Sequence, residues 1–104
     1  MPEPVLQIVW EFRVGEGAAR AFEEHYSPRG AWARLFAKAV GYERTVLLRD
    51  ESDPGRYLTI DVWRDAASFE AFRRDFAAEY QALDRDGEAL TDSERCLGRF
   101  TDLA

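Results

Sequence analysis

The stretch Tyr57 to Leu83, YLTIDVWRDAASFEAFRRDFAAEYQAL, leaves a chain of this length few ways to fold. Its first part alternates, with Leu58, Ile60 and Val62 on one side and Tyr57, Thr59, Asp61 and Trp63 on the other, which is the period of a strand. After Asp65 the period lengthens. Phe69, Phe72, Phe76, Tyr80 and Leu83 recur at spacings of three and four, one face of a helix. A stripe of aromatic rings must bury against something, and the strand just before it is the nearest surface. The spacing therefore predicts a strand over Arg56–Trp63, an N-cap at Asp65 and a helix to about Leu83.

The remaining elements fall around this unit. Val5 to Val14 alternates, with Leu6, Ile8, Trp10, Phe12 and Val14 facing one way, and ends at Gly15-Glu16-Gly17. That pair of glycines reads as a turn, because the third glycine of a dinucleotide fingerprint is missing. From Ala18 the pattern is helical through Phe22, His25 and Tyr26. Ser27-Pro28-Arg29-Gly30 interrupts it, and it resumes with Trp32, Leu35, Phe36 and Ala39 before stopping at Gly41. Tyr42 to Asp50 is a second strand, Asp53-Pro54-Gly55 a turn, Asp84 to Asp92 a polar connection, either irregular or with one helical turn, and Ser93 to Thr101 a fourth strand.

The order βαββαβ predicts an α+β, ferredoxin-like fold, an antiparallel sheet with both helices on one face, in a single domain over residues 1–104. The opposite face is expected to carry Val9, Leu47, Tyr57, Trp63 and Leu97 among Glu11, Arg13, Arg49, Asp61 and Arg99, with the side taken by Trp63 left open by the register. An apolar patch of that kind is seldom left wet, and mixed charges suit a two-fold axis, so a homodimer packed sheet to sheet is expected.

A net charge of −6 argues against nucleic acid or an anionic membrane as partner. No window approaches the roughly 20 apolar residues of a membrane span. The opening MPEPVLQIVW lacks a basic segment, so no secretory signal is expected. A lone cysteine, Cys96, excludes an intrachain disulfide, is expected to be a buried inert thiol, and fits a reducing cytoplasm. One His and one Cys without short spacing supply no metal site, and Asp84, Asp86 and Glu88 read as a solvated connector.

VGEG, FEEHYSPRGAWARLF, GYERTVLLRD, LTDSERCLGRF and above all YLTIDVWRDAASFEAF resemble the antibiotic biosynthesis monooxygenase family, whose fold is the dimeric α+β barrel. The resemblance implies a ligand cavity between sheet and helices. It also implies several activities, among them oxygenation of polyketide quinols without a cofactor, and haem degradation. Oxygenases of this group resemble one another in an Asn four residues before the strand-ending Trp and a Tyr six after it. Here those positions hold Thr59, Trp63 and Phe69, and only the Trp matches. The haem-degrading pattern would place Trp and His where this chain has Phe72 and Ala82, so haem is not expected.

The candidate ligand is therefore a small aromatic or apolar molecule. Trp10, Trp32, Phe36, Trp63, Phe72 and Phe76 are the candidate stacking residues, or alternatively plain core filling. His25, the sole histidine, is a candidate general base or else a surface imidazole, and Tyr26 and Thr59 are candidate hydrogen-bond donors. The expected function is a cofactor-independent monooxygenase or related tailoring enzyme acting on a small phenol. The alternative is a binding protein of the same fold without turnover.

Overall fold

A computed structural model of the chain describes residues 3–103. Its elements run β1 (Leu6–Arg13), α1 (Ala19–Tyr26), α2 (Ala31–Phe36), β2 (Tyr42–Arg49), β3 (Arg56–Trp63), α3 (Ala66–Asp75), α4 (Ala77–Glu88) and β4 (Ser93–Thr101). The strands form one antiparallel sheet in the order β2-β3-β1-β4, and the helices cover one face of it, the α+β ferredoxin-like arrangement that the alternation of periods predicts.

Local chemistry sets the breaks. Ser27-Pro28-Arg29-Gly30 separates α1 from α2 as expected. Gly41 turns the chain into β2 with φ +95°, and a side chain there would also strike Ser68. Asp65 caps α3 by accepting from the Ser68 backbone N–H at 2.7 Å, a contact worth about 1 kcal/mol. The predicted single helix to Leu83 is instead two. The backbone leaves helical geometry at Phe76 (φ −120°, ψ 29°), and α4 then runs on to Glu88, through most of the stretch read as a polar connection. Phe76 is neither Pro nor Gly, and the apolar stripe continues across it, so the sequence carries no mark of this break.

Directly paired residues share a face of a sheet. Leu6 opposes Trp63, Ile8 opposes Asp61, Trp10 opposes Thr59 and Phe12 opposes Tyr57, and this is the face beneath the helices. It buries Leu6, Ile8, Phe12, Tyr57 and Trp63 against Phe22, Tyr26, Trp32, Leu35, Phe36, Phe69 and Phe72. The register thus puts Trp63, whose side the sequence leaves open, on the helix side, and Tyr57 and Asp61, expected on the open face, lie there too. So do Leu47, which opposes Thr59, and Arg49, which opposes Tyr57 and reaches Glu23 of α1 at 3.9 Å. Arg99 turns the same way, bonding Glu70 of α3 at 2.8 Å. The reason is size. The aliphatic side of β3 is more hydrophobic, but Trp63 and Tyr57 are the residues long enough to interlock with the helix rings.

The open face carries Val9, Val46, Leu48, Leu58, Ile60, Val62 and Phe100, with Glu11, Arg13, Arg56 and Arg95 at one end. These charges pair within the chain: Glu11 with Arg56 at 2.7 Å and Arg95 at 3.0 Å, and Arg13 with Asp53. A register shift opposite Val9 and Trp10 makes Leu97 an extra residue in β4. Strict alternation fails there, and Cys96 opposes Trp10 while Gly98 opposes Val9. Cys96 is exposed rather than buried, because the helices stop short of this edge strand.

Candidate functional site

Between the sheet and the helices lies a hollow of about 50 Å³. Its floor is sheet: Ile8, Trp10 and Phe12 of β1, Thr45 of β2, and Thr59 and Asp61 of β3. Its walls are rings from the helices: Tyr26, Trp32, Phe36, Phe69 and Tyr80. Asp84 of α4 and Glu94 of β4 complete the lining. The two helix breaks build these walls. The interruption after Tyr26 lets α2 set Trp32 and Phe36 beside it, and the break at Phe76 brings Tyr80 edge-on to Trp32 with ring centroids 5.0 Å apart. Room for about four waters is ample for polar groups of a ligand but tight for fused rings, which require the mouth to widen.

Asp61 is the one carboxylate on the floor. Thr45 Oγ1 donates to Asp61 Oδ1 at 2.8 Å, and Tyr42 Oη lies 2.8 Å from Thr45 Oγ1. No cation pairs with Asp61 among the described residues. Asp61 is half-buried and lines the hollow. Burial accordingly pushes its carboxyl up to about 6, and the Thr45 donor only partly opposes this. Burial also raises the Tyr26 and Tyr80 phenols, so both stay protonated donors at neutral pH. Asp84, Glu88 and Glu94 bring carboxylate oxygens within 4.8 Å of one another, and burial followed by these neighbours raises Glu94.

Of the residues singled out from sequence, Trp10, Tyr26, Trp32, Phe36 and Thr59 line the hollow. His25, Trp63, Phe72 and Phe76 do not. His25 packs toward Gly87 of α4, its Nε2 buried without a hydrogen-bond partner, and burial lowers its pKa. An imidazole in that setting is neutral and shut away from the cavity. Trp63 and Phe72 are sealed in the core, and Phe76 lies on a separate surface groove with Lys38 and Asp75. Trp32 Nε1 faces the Tyr26 hydroxyl but falls short of hydrogen-bond geometry.

Asp61, Thr45, Tyr80, Asp84 and Glu94 were not among the sequence candidates. A signal for Asp61 was present. It sits two residues from Thr59 and two from Trp63, so the strand period places all three on one face.

Gly87 holds the wall in position. A Cβ there would come within 2.1 Å of Tyr26 Oη. Exchanging Gly for Ala inside a helix ordinarily stabilises by about 1 kcal/mol. Gly87→Ala is expected to destabilise instead, lowering the urea midpoint, because Tyr26 must leave its place between Phe12 and Phe22. A raised midpoint would refute this packing.

The sequence model of a family described as antibiotic biosynthesis monooxygenase matches residues 6–83. Among solved structures, SnoaB, a cofactor-independent oxygenase from Streptomyces nogalater, is 28% identical over 97% of this chain and 95% of its own, with a TM-score of 0.77. A variant of SnoaB gives 29% identity over 95% and 93%, with a TM-score of 0.78. A protein from Pseudomonas aeruginosa shares the fold at 20% identity, 100% and 99% coverage and a TM-score of 0.71. No curated protein matches.

Proposed function

The chain belongs to the antibiotic biosynthesis monooxygenase family, and we propose that it oxygenates a small neutral phenol without a cofactor, with Asp61 as the general base. The observation that carries this reading is a carboxyl with a pKa of about 6, without a cationic partner, on the floor of a ring-lined hollow. A base works best when its pKa lies near the working pH. Asp61 does so because burial raises it.

The reaction asks little else of the protein. Asp61 takes the phenol proton. The phenolate gives one electron to dioxygen, and the resulting radicals combine at an open ring carbon para to the oxygen to form a peroxide. Asp61 returns its proton to the peroxide, and the ring hydrogen then leaves together with the outer peroxide OH as one water, so one phenol and one dioxygen give one quinone and one water and Asp61 is again a carboxylate. Charge also balances in the hollow. An ionised Asp61 with a neutral phenol becomes a neutral Asp61 with a phenolate, one negative charge throughout. Trp32, Phe36 and Trp10 provide flat walls for the ring, and the Tyr26 hydroxyl and Thr59 are the donors available to the developing oxyanion. A substrate that already carries a carboxylate would add a second charge beside Asp61, Asp84 and Glu94.

Oxygen uptake by the metal-free protein, measured over a panel of phenols, naphthols and a dihydroxyanthracene, tests the reading. Uptake above the uncatalysed rate for at least one neutral phenol is expected. A panel at background rate throughout, with ligand-induced thermal stabilisation, would instead identify a binding protein.

Sheet-to-sheet dimerisation is part of the same proposal. The aliphatic strip of Val9, Val46, Leu58 and Ile60 on the open face supports it, with Leu48 and Phe100 about half exposed (45% and 52%) beside it. The wild type is expected to run in light scattering at twice 11.9 kDa. Ile60→Glu, which places a charge in the middle of the strip, is expected to run as a monomer; a wild-type monomer would overturn the dimer.

A further inference from the structure

We infer that the substrate carries a cationic amine arm, held at the rim of the hollow by Asp84, Glu94 and Glu88. The inference deepens the proposed function and rests on it: Asp61 serves the phenol end, and the arm fixes the other. The three side chains bring carboxylate oxygens within 4.8 Å of one another, two from α4 and one from β4. Asp84 and Glu94 are half-buried and line the hollow, whereas Glu88 is exposed, so the trio runs from the hollow to solvent. None of the three pairs with a cation among the described residues. Arg73 stacks on the Tyr80 ring at 4.3 Å and reaches none of them. Like charges gathered this closely in a part-buried site cost stability until a counter-charge arrives.

Acids alone would name no ligand, but the Tyr26 hydroxyl joins them. Tyr26 lines the hollow and is only 7% exposed. The Tyr57 hydroxyl donates to Glu23 and that of Tyr42 bonds Thr45, whereas the Tyr26 hydroxyl has no hydrogen-bond partner among the described residues. It lies against Gly87, between Asp84 and Glu88 in α4, and after burial it is the Glu94 and Asp84 charges that raise its phenol. A polar group buried without a partner is costly. An ammonium has three N–H donors and no acceptor, which suits two carboxylates and one hydroxyl oxygen. The rest of this wall is rings, Trp32 and Tyr80, whose faces attract an organic cation. A divalent metal ion would want roughly six oxygens, and rings supply none. Oxygen adds para to the phenol oxygen, so the arm leaves the ring at another carbon. The phenol itself stays neutral until Asp61 takes its proton, and phenols without an arm remain substrates that bind less tightly.

The test is calorimetry at neutral pH with three ligands of similar shape: meta-(aminoethyl)phenol, meta-propylphenol and meta-hydroxyphenylpropanoate. Wild type is expected to bind the amine at least about tenfold more tightly than the propyl compound, and the carboxylate most weakly. In Glu94→Gln and Asp84→Asn the ratio of amine to propyl affinity is expected to collapse toward parity. A ratio taken within one variant is not moved by a general loosening of the wall, which weakens both ligands together. Glu24→Gln, which removes an exposed acid of α1 and the same unit of net charge, is expected to keep the wild-type ratio. Propyl binding as tight as amine binding in wild type would overturn the arm, and so would an amine advantage that survives in both variants. Calcium or manganese that binds the trio and expels the amine would overturn it in favour of a metal site. None of these measurements needs turnover. An amine preference in a protein that takes up no oxygen counts against the oxygenase alone, whereas turnover of phenols with no amine preference counts against the arm alone.

Discussion

Replacing Asp61 by Asn is expected to give a more stable protein with almost no activity. Oxygen uptake on a phenol that the wild type turns over should fall by about 10²–10⁴, the usual contribution of a positioned base. Stability should move the other way, and the direction follows from linkage. The Asp61 pKa is about 6 in the folded chain against 3.8 when solvated, so between those values the folded state holds more protons than the unfolded one. Stability is then full below the unfolded value, falls as pH rises through the folded one, and stays reduced above it. Two pKa units correspond to roughly 3 kcal/mol, and water in the hollow screens this to about 2. Asn has no charge to desolvate and still accepts from Thr45, although its amide N–H groups lack acceptors on an apolar floor. A net gain of about 1 kcal/mol at neutral pH is expected, with a shallower decline from acid to neutral pH.

The other acids bracket this window. Glu11, Asp50, Asp53 and Asp65 are held below their ordinary values, first by Arg56, by the Ser52 backbone N–H, by Arg13 and by Ser68 respectively, so their stabilisation is lost only at lower pH. Glu94, raised by burial, adds to the same decline as Asp61 and persists in the variant. Urea unfolding at several pH values, alongside oxygen uptake, measures both halves. A variant with no gain in stability at neutral pH would remove the argument that burial tunes this carboxyl, and an active variant would remove the base.

The strands and turns were legible because each is written locally. The period change at Asp65, the glycine at position 41 and the Pro-Gly turn before Arg56 all recur in the fold. The break at Phe76 was not legible, since the residue is an ordinary helix former within an unbroken apolar stripe and only packing against α2 reveals it. The faces of β3 were misassigned for a related reason. Hydrophobicity ranks Leu58, Ile60 and Val62 above a side that contains Asp61, but a sheet that lines a cavity needs polar groups on its buried face. Family resemblance pointed to the space between sheet and helices. It did not point to Asp61, because the positions it compares are those of Thr59, Trp63 and Phe69.

Trp63→Ala is expected to cost about 3–5 kcal/mol, a large part of the roughly 5–15 kcal/mol that holds a domain of this size together. Trp63 has no exposed surface and sits among Phe36, Tyr42, Phe69 and Phe72 with ring centroids 5.3–5.5 Å away. It joins the end of β3 to α2 and α3, so an empty space there loosens both helices that wall the hollow. Trp63→Phe should cost far less, about 1–2 kcal/mol, because the indole N–H has no partner to lose and a ring still fills most of the site. The pair separates packing from ligand contact. If Trp63 serves the core alone, Trp63→Phe keeps wild-type affinity for a bound phenol by calorimetry, whereas Trp32→Phe, in the wall itself, weakens it. Loss of affinity in Trp63→Phe without loss of stability would mean that the ring reaches the ligand after all, in a form of the hollow wider than this one.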